Sequence, residues 1–81
     1  MSKYYYSFGQ SHTHRVHGVT LDKDSIVEII APDDERGMEA ARAKMFDTFG
    51  QKWSMQYDDA SLDLSYFPRG IVLTLHAGGS P

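Results

Sequence analysis

A single glycine separates two incompatible hydrophobic periods, and that junction constrains the fold of this chain more than any other feature. Before Gly50, the apolar residues Met38, Ala41, Met45 and Phe49 recur at i, i+3, i+7 and i+11, which is one stripe of an α-helix. After it, KWSMQY (52–57) sets Trp53, Met55 and Tyr57 against Lys52, Ser54 and Gln56, the two-residue alternation of a half-buried strand. Asp33 is the expected N-cap, Asp34 and Glu35 suit the positive first turn, and Gly50 suits the stop. Phe46 falls at the edge of the stripe.

Strands are expected on both sides of this helix. KYYYSF (3–8) is aromatic-rich, with Tyr4, Tyr6 and Phe8 on one face and Tyr5 and Ser7 on the other. SIVEIIA (25–31) is apolar on both faces and suits a central position, ended by Pro32. Between them, 9–24 is polar and carries turn residues, so it is expected as a long connection. LDLSYF (62–67) and GIVLTLH (70–76) flank Pro68-Arg69-Gly70 and are expected to form a closing hairpin. AGGSP (77–81) has no core-forming residues and is expected to fray. The expected fold is α+β: a ββαβ order plus a C-terminal hairpin, giving an antiparallel sheet with one helix across a face in two layers. Tyr4, Tyr6, Phe8, Trp53 and Met55 are the expected partners of the helical stripe.

Eighty-one residues make one domain, 1–81. A domain of this size buries only about 60% of the surface its unfolded chain exposes, and no cysteine is present to add a disulfide. A homo-oligomer is the expected remedy. No apolar run approaches the ~20 residues of a membrane span, and MSKYYYSFG does not resemble a signal peptide, so a soluble cytoplasmic protein is expected. The net charge of −3, with both signs interspersed, argues against a duplex nucleic-acid partner.

The chemistry-bearing residues concentrate in FGQSHTHRVHG (8–18), which holds three of the four histidines. As zinc ligands, His12, His14 and His17 would all come from one loop, without cysteine, an HExxH helix or evident partners to hold the rings. Exposed polar histidines in a loop are the simpler reading, and neither a metal nor a cofactor is expected. Paired H-x-T/S motifs, a G-x-S-x-G elbow, a P-loop and G-x-G-x-x-G are all missing from the sequence. A binding role is favoured over catalysis, and no catalytic residue is assigned.

Arg42 sits at a helical angle between Phe46 and Phe49, at the margin of the stripe. Snorkelling accounts for such an arginine, and so does a contact surface at which it meets a carboxylate or phosphate. With Arg15, Arg36 and Lys44 the available cations are few, enough for one small phosphate-bearing ligand or an acidic patch on a partner. Five tyrosines and one tryptophan exceed what a small core can bury with satisfied polar ends, so Tyr5 and Tyr66 are expected at the surface, able to stack or anchor.

The opening YYYSFGQSHTH and the segment ARAKMFDTFGQKWSMQY together resemble a family of small accessory proteins encoded in bacteriophages and prophages. The pattern is aromatic-x-F-G, then a helix ending M-F-x-x-F/Y-G-x-x-W-x-x-Q-Y. It is matched here by Tyr6, Phe8, Gly9, His12, Met45, Phe46, Gly50, Trp53, Gln56 and Tyr57 across residues 4–57. The resemblance implies a phage gene product acting inside a bacterial cell. Such proteins are often inhibitors of host defence, acting by sequestering a nucleotide signal or by covering a CRISPR or restriction effector. A structural or regulatory phage role is a further alternative. For nucleotide sequestration the expected ligand-binding residues are Tyr5, Phe8, Gly9, His12, His14, Arg15 and Arg42, with aromatic stacking, close backbone approach at Gly9 and cationic or imidazole donors to anionic oxygen. For a protein target, Asp33, Asp34, Glu35, Asp58, Asp59 and Asp63 supply an acidic surface instead.

Overall fold

The structure, a computed structural model, describes residues 2–9, 13–16, 18–33, 36–58 and 60–77. It is a small two-layer α+β fold. One helix, α1 (Gly37–Phe49), packs on a four-stranded sheet. The sheet comprises β1 (Ser2–Ser7), β4 (Ser25–Ala31), β5 (Gln56–Tyr57) and β6 (Gly70–His76), in the order β5-β1-β4-β6. A separate two-stranded ribbon is made of β2 (His14–Val16) and β3 (Val19–Leu21). Among the described residues no helix is long and apolar enough to cross a membrane.

The alternation expected in β1 sets the core. Tyr4, Tyr6 and Phe8 face the helix, together with Val27, Ile29 and Ala31 of the antiparallel partner β4 and Leu73 and Leu75 of β6. The central place of β4 follows from apolar residues on both of its faces. The helix meets this layer with Gly37, Ala41, Met45 and Phe49, a stripe spaced by four. Met38, expected in that stripe, is 46% exposed because Gly37 occupies the inward position one residue earlier. A Cβ at Gly37 would lie 2.3 Å from the Pro32 carbonyl oxygen, so the helix enters over the chain where only glycine fits. The helix therefore begins four residues beyond the expected cap. Asp33 instead accepts a 2.8 Å hydrogen bond from the Ser2 hydroxyl, while Asp34 and Glu35 lie outside the described residues. At the other end Gly50, φ +66°, stops the helix and donates its N–H to the Phe46 carbonyl at 2.8 Å.

Further expectations are corrected. The 9–24 connection contains the β2–β3 hairpin, turned at Gly18 with φ +77°, and Leu21 enters the core. The 52–57 segment is regular strand only at Gln56–Tyr57. Ser7 still continues the pairing by donating to the Met55 carbonyl at 3.0 Å and accepting from Ser54 N–H at 2.8 Å. Met55 turns outward, 54% exposed.

The closing hairpin does not form. Leu64–Tyr66 is a 3₁₀ turn, because the Asp63 carboxylate captures the Ser65 N–H at 2.9 Å and its hydroxyl at 2.6 Å, closing a local ring that competes with extension. β6 then runs parallel to β4, so the sheet is mixed. Its place is fixed at its start: Arg69 pairs with Asp22 at 3.2 Å and donates its backbone N–H to the Asp24 carbonyl at 3.0 Å. Ala77, expected to fray, is buried and donates its N–H to the Ile30 carbonyl at 2.9 Å. Residues 78–81 lie outside the described chain.

Candidate functional site

Arg42 and Phe46 are one helical turn apart on α1, immediately beside the buried positions Ala41 and Met45. The reversal at Gly50 brings Gln51, Trp53 and Ser54 back alongside this part of the helix. Together with Ala43 these residues enclose an open cleft of about 430 Å³. Its apolar surface comes from Phe46, 58% exposed, and the half-buried Trp53.

The cleft is seated on the core. Trp53 meets the fully buried Tyr6 edge-on, with ring centroids 4.9 Å apart. The Tyr6 hydroxyl donates to Gln56 Oε1 at 3.0 Å, and Arg42 Nε donates to that same oxygen at 2.9 Å. One amide oxygen thus holds both the phenol and the guanidinium. Burial pushes the Tyr6 phenol up to about 12, with the Arg42 charge partly opposing it, so the hydroxyl remains a donor throughout the neutral range. Among the described residues Arg42 makes no ion pair. Its other guanidinium N–H donors remain for an anion.

Arg42 is the member of the expected ligand set that lines this cleft. His14 braces it: its Nε2–H donates to the Lys52 carbonyl at 3.0 Å, within the returning segment, and its ring packs against Phe8 and Phe49. Phe8, expected to stack on a ligand, is a core residue 5.2 Å from Phe49. Tyr5, expected at the surface, is 5% exposed. Its cross-strand neighbour Tyr57 packs edge-on to Phe67, so the chain after β5 covers that side of the sheet as well. Gly9 leaves β1 half-buried, and Arg15 is exposed between the inward residues His14 and Val16. His12 and His17 lie outside the described residues. Among those described, no three His, Cys, Asp or Glu side chains are grouped to hold a metal ion.

Phe46, Trp53 and Gln56 complete the arrangement but were not in the expected ligand set. The i, i+4 spacing of Arg42 and Phe46 was the available signal for the first. The other two depend on how the chain folds back after Gly50. Chemically, the cleft offers two aromatic surfaces, a held cation and amide or hydroxyl groups from Gln51 and Ser54. Among the described residues, its lining contains neither imidazole nor carboxylate. No family model matches the chain, and neither a curated protein nor a solved structure matches it.

Proposed function

We propose that this protein is a non-catalytic binding protein that sequesters a small nucleotide-type ligand, with the Arg42–Phe46–Trp53 cleft as its site. The observation that carries this reading is a guanidinium fixed through one N–H that lines the same cleft as the exposed Phe46 and the half-buried Trp53. A nucleobase stacks on Phe46 or Trp53, a contribution of about 1–3 kcal/mol per base in comparable sites. A phosphate oxygen accepts from the remaining guanidinium donors, whose fork geometry suits it. The described lining, one guanidinium with amide and hydroxyl groups beside two aromatic rings, suits holding such a ligand. Together with the resemblance to phage accessory proteins, this becomes an anti-defence role in a bacterial cytoplasm: removal of a nucleotide signal before an effector senses it.

A second reading is a protein inhibitor covering a defence effector. Leu64 and Tyr66, exposed on the 3₁₀ turn, favour it as anchors outside the cleft. The acidic groups favour it less, because Asp58 and Asp63 are engaged in local turns.

Trp53 is the only tryptophan in the chain, so its emission reports on the cleft directly. Titration with mono-, di- and cyclic dinucleotides is expected to quench it saturably for at least one ligand. Arg42→Met and Phe46→Ala should each weaken that binding by about tenfold or more, corresponding to ~1.4 kcal/mol or more. Flat titrations across the panel, with capture of a defence protein that Tyr66→Ala abolishes, would replace this reading with the second.

A further inference from the structure

The two edges of the sheet are guarded unequally. β5 is two residues long, and a short edge offers little for another strand to pair with. β6, at the opposite edge, runs for seven residues, GIVLTLH, with no lysine, arginine, carboxylate or proline in it. Its one irregularity lies opposite the Ile26–Val27 step, at Val72, and leaves 73–77 regular. The Ala77 N–H bonds to the Ile30 carbonyl. Alternation along a parallel ladder therefore turns the polar backbone of Leu73, Leu75 and Ala77 towards β4, and that of Thr74 and His76 towards the edge that no described strand pairs with.

We infer that this edge pairs, antiparallel, with the β6 edge of a second copy of the chain about a two-fold axis at Leu75. The register follows from parity, since outward-turned residues must meet outward-turned residues. Thr74 then exchanges both backbone hydrogen bonds with His76 of the second copy, while Leu75 faces its own counterpart. Of the two neighbouring registers, one centred on Thr74 would draw the irregular Val72 into the ladder, and one centred on His76 would carry the pairing past Ala77 and shorten the ladder within the described strand, so both are poorer matches.

The side chains agree with this register on both faces. On the helix side, half-buried Leu75 meets Leu75 and Leu73 meets Ala77, so the apolar layer continues across the junction. On the other side, Thr74 already donates its hydroxyl to Glu28 at 3.0 Å. Beside it comes His76 of the second copy, followed in the same row by that copy's Ile30 and Lys3. A row ending in Tyr5, Glu28 and Thr74 thus abuts one that begins with the second copy's His76; the Thr74 hydroxyl, which donates to Glu28, can accept from that ring's N–H, and the two-fold repeats the contact. The β2–β3 hairpin is tied to β6 at its beginning, through Asp22 and Arg69.

Sedimentation equilibrium of the full chain across the micromolar range tests the inference. The expected mass is twice the 9.1 kDa of one chain. His76→Glu places a carboxylate in the row of the second copy's Glu28, one strand beyond Thr74, and should weaken the dimer about tenfold through two symmetric like-charge repulsions. Adding Glu28→Lys should restore it. Both positions are at least partly exposed, and circular dichroism confirms that each variant folds. Amide exchange at Thr74 and His76 should slow as concentration rises. A one-chain mass throughout, a dimer indifferent to His76→Glu, failure of the double variant to recover, or concentration-independent exchange at these two amides would each overturn the inference.

Discussion

The indole of Trp53 stands edge-on to the ring of Tyr6, with planes at 82° and centroids 4.9 Å apart. Because Tyr6 is fully buried, this contact transmits the rigidity of the core to a wall of the open cleft. Edge-to-face pairs of this kind contribute about 0.5–1.5 kcal/mol beyond the area they bury. The Tyr6 hydroxyl performs a separate task through Gln56, on the oxygen that also holds Arg42.

Tyr6→Phe separates the two contributions. The ring and its contact with Trp53 remain, and Gln56 Oε1 still accepts from Arg42. The loss is one hydrogen bond, expected to cost about 1 kcal/mol. Urea unfolding followed by Trp53 emission should show a lowered midpoint with native emission unchanged. An unshifted midpoint would show that the hydroxyl contributes nothing net.

Gly37→Ala reverses a familiar expectation. Alanine is ordinarily better than glycine within a helix by about 1 kcal/mol. Here the new methyl meets the Pro32 carbonyl oxygen at 2.3 Å and the Tyr4 hydroxyl at 3.4 Å, and the nearer group is backbone. The helix start must shift away from β1 and β4. A net destabilisation of about 1–3 kcal/mol is expected, as for other overpacked sites. Thermal unfolding of the two proteins side by side decides the sign, and a stabilised variant would refute the steric reading.

Acid should loosen the junction between β3, β4 and β6. The Asp24 backbone N–H, the Ser25 hydroxyl and Arg69 hold the Asp22 carboxylate below its ordinary range, the Asp24 contact being the largest influence and partial desolvation working against them. A carboxyl depressed in the folded state binds fewer protons there than in the unfolded chain. Its stabilisation is therefore complete above the unfolded value, about 3.9, and disappears as the pH falls through the lower folded value. Asp33, Asp58 and Asp63 are depressed too and act with the same sign. The difference in urea midpoint between the native protein and Asp22→Asn isolates Asp22. It should be constant near neutrality and shrink below about pH 4. A gap that stays constant into strong acid would mean that the charge of Asp22 contributes nothing.

The helix, the inward face of β1 and the central place of β4 were legible because each repeats a period over several residues. The direction of β6 was not, since GIVLTLH alternates equally well read either way. What orients it is contact between Asp22, Asp24 and Arg69, groups more than forty residues apart in the chain. LDLSYF shows the opposite failure: its apolar alternation is real, but Asp63 and Ser65 satisfy each other locally and bend the backbone out of extension. The ribbon β2–β3 leaves little mark on the sequence because three-residue strands carry almost no periodic signal. For the site, Arg42 was readable from its angle beside the stripe. Trp53 and Gln56 acquire their roles only once Gly50 has reversed the chain, and the buried Tyr5 is paired across to Tyr57, more than fifty positions further on.

The parallel pairing of β4 with β6 also has a consequence in time. Ser25 is matched to Gly70, so synthesis delivers SIVEIIA forty-five residues before the strand that closes its second edge. At about 5–20 residues per second, that interval lasts roughly 2–9 s, during which β1 can already be paired while the far side of β4 stays open. The pace of translation across residues 32–69 therefore sets how long each new chain presents a sticky, half-finished sheet to its neighbours on the same messenger.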